Sequence, residues 1–204
     1  MTMDLHISDA ELRDAPLAGE FVFQAFRGDD PITLWVVPEE ADRPLVLPQY
    51  FSAVAADAIE HGVVELGRDG RSEDLVAVAI WFDVPEPEPV PPAEPDHRLI
   101  DLCGRHASRF ATLEALMYAA APPQPHHHLA FLAVDENHRN AGLGTTMLQH
   151  HHKLVDNLGV DASLDASNPS SRRLYLRHGY YDYGPPFHPP GGPPMWPMLR
   201  SGNR

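Results

Sequence analysis

Apolar positions along this chain fall into runs of two periods. Residues 4–8 (DLHIS) alternate, as a short half-buried strand does. From Ala10 onward, Leu12, Leu17, Phe21, Val22 and Phe26 recur at roughly helical spacing and predict a helix over 10–25. The stretch 32–37 (ITLWVV) is apolar and β-branched, which suits a short strand or part of a capped loop. Over 47–61 the apolar positions 51, 54, 55, 58 and 59 precede Gly62, the pattern of an amphipathic helix with a glycine stop. Residues 63–66, the turn GRDG and residues 75–82 read as a β-hairpin that Asp83 closes.

The second half begins with a proline and glutamate tract, 84–96. Proline lacks an amide donor and fixes φ, so this tract is an extended, exposed connector. Residues 97–120 are helical by the spacing of Leu99, Leu102, Phe110, Leu113, Leu116 and Met117, and APPQP stops them. We read 84–125 as an insertion or lid within one domain, 1–204, because the flanking strands would otherwise lack a sheet. Next come a strand over 127–134, a helix over about 142–158 with Leu143, Met147, Leu154 and Leu158 on one face, and a strand over 160–166. That order is a βαβ unit, so the two strands should run parallel with a right-handed crossover. A helix over 169–178 stops at Gly179. Residues 180–183 and 195–199 form a last strand pair around PPFHPPGGPP.

Composition narrows the class. With 204 residues and 43% hydrophobic content the chain can bury a sizeable core. The single cysteine, Cys103, excludes an intrachain disulfide and a cysteine-rich zinc site, and fits a reducing compartment. The first residues lack a signal-peptide pattern, and no run approaches the roughly 20 apolar residues of a membrane span, so a cytoplasmic protein is expected. A net charge of −14 argues against nucleic acid or an anionic membrane as partner. It is compatible with a cationic small substrate, although an acidic surface more often just serves solubility.

The candidate chemistry starts at FLAVDENHRNAGLGT, 131–145. Here an apolar run gives way to Arg139-Asn-Ala-Gly142-Leu-Gly144 at a helix start. Helix starts expose unpaired N–H groups and partial positive charge, and glycine permits close backbone approach. Such a loop suits a pyrophosphate; taken alone it also suits a turn and close helix–sheet packing. Farther on, NPSSRRLYLRHGY over 168–180 follows the second strand. Strand, R-x-x-G-x-G, helix, strand, Asn, helix with L-Y, then G-Y resembles the GNAT superfamily of acyl-CoA-dependent N-acyltransferases. The resemblance is specific over 127–181, is compatible with the element order of 4–82, and leaves 84–125 outside.

The resemblance implies a GNAT-like α/β fold: a mixed, mostly antiparallel twisted sheet, splayed at a central parallel strand pair and flanked by helices. It implies acetyl-CoA as co-substrate. Leu132, Ala133 and Val134 would pair by backbone with the pantetheine arm. Arg139 opens the motif, and the backbone of Asn140, Ala141, Gly142, Leu143, Gly144 and Thr145 would hold the pyrophosphate. Asn168 would hydrogen-bond the cofactor, while Asn168-Pro169 is also the signature of a helix cap. Tyr175 would protonate the leaving thiolate, or pack as a core aromatic. An attacking amine must be neutral, so a base is needed. Asp165 is the first candidate; His128, Asp83 and Glu65 are the others.

In such enzymes the last hairpin lines the acceptor pocket, which makes Tyr183, His188 and Trp196 candidate substrate contacts. The same aromatic, proline-rich loop also suits a covered sheet edge or a dimer contact. The triplets His126–His128 and His150–His152 do not converge, because neighbours on a strand alternate faces and neighbours on a helix lie about 100° apart. No metal is expected, and His151, between Met147 and Leu154, reads as a packed or hydrogen-bonded histidine. The function expected is acetylation of a primary amine, of a small molecule before a protein N-terminus or lysine. The other classes are a CoA-binding module without turnover and a histidine-rich metal binder.

Overall fold

A computed structural model describes residues 4–28, 30–86 and 89–202. The elements run β1 Leu5–Asp9, α1 Ala15–Phe26, α2 Pro31–Val36, α3 Arg43–His61, β2 Gly62–Asp69, β3 Leu75–Val84, α4 His97–Cys103 and α5 Ala107–Ala120. They continue with β4 His126–Val134, α6 Leu143–Leu158, β5 Asp161–Ala166, α7 Pro169–Arg177, β6 Tyr181–Asp182 and β7 Trp196–Arg200. The seven strands form one mixed sheet in the order β1-β2-β3-β4-β5-β7-β6. Among the described residues only β4 and β5 pair in parallel; the other neighbours are antiparallel.

Several expected elements shift for local reasons. Residues 32–37 are neither strand nor loop: Pro31–Val36 is helical. The Asp30 carboxylate accepts the Thr33 amide at 2.9 Å, and Pro31 sits at the first helical position. A cap with proline behind it overrides the strand preference of β-branched residues. The first helix starts at Ala15, after a 3-10 turn, and it buries Ala15, Ala18, Val22 and Phe23 while Leu12 and Leu17 stay exposed. The helix expected over 97–120 breaks at Gly104, whose φ of +52° is a glycine conformation, into α4 and α5. Residues 87 and 88 of the connector lie outside the described residues.

The sheet separates two cores. On one face, Val64, Val78 and Ile80 pack with α1, α2, α3 and α5. On the other, Ala77, Ala79, Trp81, Leu129 and Leu164 pack with α6 and α7. Alternation along β3 assigns 78 and 80 to the first face and 77, 79 and 81 to the second. Helix α6 presents Leu143, Met147, Leu148, His151 and Val155 to its core, and the expected contacts Leu154 and Leu158 are exposed.

Candidate active site

The parallel pairing is short. It runs from His126 opposite Asp161 to Leu129 opposite Leu164 and stops. Strand β4 continues to Val134, paired on its other side with β3, with a bulge where Ile80 and Trp81 face Phe131 and Leu129. On the β5 side, the edge of β4 beyond Leu129 therefore has no strand beside it among the described residues. Its unpaired peptide groups are those that an added extended chain would use. Leu132, Ala133 and Val134 all lie on this stretch.

Past β4, Asp135 accepts the Asn137 amide and begins a 3-10 turn. Two residues then adopt left-handed backbone, Asn140 at φ +63° and Gly142 at φ +87°. Gly142 is the N-cap of α6, and the first helical hydrogen bond runs from the Thr146 amide to its carbonyl. The amides of Leu143, Gly144 and Thr145 thus lie in the unpaired first turn, where the helix field favours an anion. The two glycines differ. Gly142 needs its positive φ, whereas a methyl at Gly144 would meet Leu174 and Leu132 at 3.5 and 3.7 Å, ordinary contact. The Ala141 amide is directed to the His138 carbonyl at 3.3 Å. The Arg139 guanidinium donates to the Ala25 carbonyl at 2.7 Å, tying the loop to the end of α1.

At the split between β4 and β5 opens a cavity of about 610 Å³, roofed by α2, α3 and α5. Asp165, Asn168 and Tyr175 all line it, with Leu132 on the opposite strand. Burial pushes the Asp165 carboxyl up to about 7, which poises it to exchange a proton near neutrality. Tyr175 is buried against Tyr180, and its hydroxyl has no hydrogen-bond partner among the described residues. Burial, with the Asp30 charge, raises its pKa, so the phenol is held in its protonated, donating form. Asn168 caps α7, its carbonyl oxygen accepting the amides of Ser170 and Ser171 at 3.0 and 2.9 Å. Its amide group makes one long contact, 3.3 Å to Ser167 Oγ.

The remaining candidates separate by face. His128 shares the cavity with Asp165, its Nδ1 2.9 Å from Ser163 Oγ, and burial lowers its pKa to about 4. Tyr183 reaches a small side crevice that touches both His128 and Asp165. His188 is exposed and borders neither space. Trp196 packs into the α6-side core; its neighbour Met195 faces the cavity instead. Asp83 edges the cavity, with its carboxylate 3.8 Å from His127 Nε2. Glu65 lies behind the sheet, bound to His151 Nδ1 at 2.9 Å, and His151 Nε2 meets His127 Nδ1 at 3.0 Å. His151 also stacks on Trp81, ring centres 3.8 Å apart.

Three features escaped sequence reading. Asp30 accepts from Thr33 N and from Ser167 Oγ, joining the start of α2 to the end of β5 beside the cavity. Its signal was the Asp-Pro pair before an apolar run. Met195 and Glu114 line the cavity too, and no local motif marks either. Elsewhere, Glu39, Asp42 and His106 bring three donor atoms within 4.8 Å of one another. Arg105 and His106 already bind the same Asp42 oxygen, at 2.6 and 2.7 Å.

A strand pair split over a cavity, a helix start beyond it and an acid and a phenol lining it meet at one place on the sheet. The chain belongs to the acetyltransferase (GNAT) family, whose profile matches residues 75–180 and so runs through the helices of 97–120. A histone acetyltransferase HPA2-related acetyltransferase from Corynebacterium glutamicum is similar in structure, with 23% identity, a TM-score of 0.74 and coverage of 98% of this chain and 97% of that one. Arylalkylamine N-acetyltransferase 2 from Aedes aegypti has 14% identity, a TM-score of 0.74 and coverage of 97% and 99%. A Drosophila melanogaster polyamine N-acetyltransferase has 17% identity, a TM-score of 0.65 and coverage of 97% and 100%. These similarities establish the shared fold. Among the described residues, no helix is long and apolar enough to cross a membrane.

Proposed function

We propose that this protein transfers an acetyl group from acetyl-CoA to the primary amine of a small molecule, both bound at once. The observation that supports it is the convergence of Asp165 and Tyr175 on one cavity at the point where β4 and β5 part. The residues present fit acetyl-CoA. The unpaired edge at Leu132–Val134 suits an extended amide-bearing arm, and the first-turn amides of α6 suit a pyrophosphate. Asn168 keeps part of its amide group for the same ligand while its oxygen caps α7. When bound, acetyl-CoA supplies an acyl carbon activated as a thioester.

Asp165 takes the proton that the amine must lose. A free alkylamine has a pKa of about 10.4, so a carboxylate raised to about 7 is a useful partner for it, directly or through one water. Amides of the open β4 edge stabilise negative charge developing on a carbonyl oxygen. Tyr175 donates its phenolic proton to the departing sulfur. A cavity roofed by α2, α3 and α5 favours a small acceptor over a protein side chain, and arylalkylamine and polyamine N-acetyltransferases are among the proteins with this fold.

The test is thiol release from acetyl-CoA across a panel of arylalkylamines, polyamines, amino acids and a peptide N-terminus. Release with a small amine is the expected result. Acetyl-CoA that raises the melting temperature without thiol release from any acceptor would instead identify a binding module.

A further inference from the structure

The far wall of the cavity has an order of its own. Five aromatic rings form a ladder, each touching the next: Phe110 to Tyr50 at 4.4 Å, Tyr50 to Phe51 at 5.7 Å, Phe51 to Phe131 at 5.0 Å and Phe131 to Phe26 at 6.2 Å. All five line the cavity, from α5 across α3 to the open part of β4. Contiguous ring faces and edges favour a flat aromatic guest over an extended polar one.

Five carboxylates also border the cavity, and most are engaged. Asp30 accepts from Thr33 N and Ser167 Oγ. Asp57 pairs with Arg98. Asp83 lies against His127. Asp165 sits at the strand split. That leaves Glu114 on α5, half-buried, with one long contact from the Tyr50 hydroxyl at 3.4 Å. Burial raises its pKa, the Tyr50 hydrogen bond lowers it, and the Asp96 and Arg98 charges act in opposite senses. The rings beside it suit an aromatic group that carries a neutral O–H or N–H donor.

Its position is set back from the strand split. Ala121, just past the end of α5, borders both the cavity and the crevice that touches Asp165, whereas Glu114, seven residues earlier and about 10 Å back along the helix, borders the cavity alone. The two carboxyls therefore stand apart in one cavity, the arrangement that an amine arm, one aromatic ring and a donor beyond it require.

We propose that the acceptor is an arylalkylamine with a hydrogen-bond donor on its ring, and that Glu114, held by Tyr50, reads that donor. This rests on the acetyl-transfer reading above. The ladder holds the ring, Asp165 faces the amine and Glu114 accepts from the distal group.

The experiment measures kcat/KM for tyramine, phenethylamine and 1,4-diaminobutane with the intact protein and with Glu114→Gln and Glu114→Leu. Tyramine should exceed phenethylamine by about tenfold, the worth of one hydrogen bond to a carboxylate. The diamine should be slowest. In Glu114→Leu the tyramine to phenethylamine ratio should collapse to about one, and in Glu114→Gln it should be intermediate. The intact protein alone tests the ring preference should either variant fail to fold. A diamine that outruns both aryl substrates, or a ratio unchanged in Glu114→Leu, overturns the proposal while leaving acetyl transfer standing. Absence of thiol release with every amine overturns both.

Discussion

Asp165 and Glu65 are both carboxyls that burial holds near 7, and they stand on opposite faces of one sheet. Asp165 opens onto the cavity and has no hydrogen-bond partner among the described residues. Glu65 is sealed under α6, its Oε1 bound to His151 and its Oε2 without a partner. The direction and the leading cause of the shift are the same, because desolvation penalises a charge wherever it lies. What differs is access. A displaced pKa marks a site only where the group can still reach a substrate. Behind the sheet, Trp81, His151 and His127 use the same physics to fix packing.

The largest effect should come from Asp165→Asn. Removing the base should lower kcat/KM about 1000-fold, roughly 4 kcal/mol, with melting temperature nearly unchanged. The sign of the pH dependence follows from the raised pKa. Activity needs the carboxylate, so wild-type kcat/KM should fall as pH drops below about 7, and the variant should lack that limb. A variant that keeps the limb would assign the base to another group that titrates near 7, whereas a limb moved down toward pH 4 would point to His128.

Next in size is a change on the other face. His151→Ala empties a fully buried site, removes the Trp81 stack and strands Glu65 and His127. Stability should fall by about 3 kcal/mol, read by urea unfolding. Acetyl transfer by the folded fraction should change little. Equal losses of rate and stability would deny the separation of the two faces. Tyr175→Phe should then cost about 100-fold in kcat, slightly under 3 kcal/mol, with acetyl-CoA binding intact by calorimetry. The packed ring is preserved, so a loss of stability in place of rate would make Tyr175 a core aromatic only.

What the chain discloses in advance follows the range of each interaction. The loop 139–145 and the Asn168-Pro169 cap were legible because capping and glycine backbone are local properties. The short parallel pair followed from the strand-helix-strand order. Asp30-Pro31 carried an equally local signal, but the β-branched run behind it suggested a strand. The aromatic ladder was not legible, since its rings come from α1, α3, α5 and β4 and meet only in the folded chain. The same holds for His127 and His151, 24 residues apart. Trp196 and Met195 show a third limit: alternation says that neighbours face opposite sides, and only the sheet register decides which.

The smallest effect is the sharpest test of what Glu65 does. Its pKa is about 7 in the folded chain against an ordinary 4.5. Between those values the native state holds more protons than the unfolded one, so this group's contribution declines as pH rises from 4.5 to 7. Its neighbour His151, lowered to about 3 by burial, works the other way from 6.5 downward. Glu65→Gln removes the first contribution and keeps an oxygen to accept from His151 Nδ1. Relative to wild type, the variant should therefore gain stability on going from pH 5 to pH 8, on the order of 1 kcal/mol. Urea melts at the two pH values measure the difference directly. A gap independent of pH would mean that Glu65 titrates as an ordinary surface carboxyl, and the likeness to Asp165 would fail. The predicted gain, with acetyl transfer keeping the wild-type pH profile, would leave Asp165 as the carboxyl whose raised pKa serves chemistry.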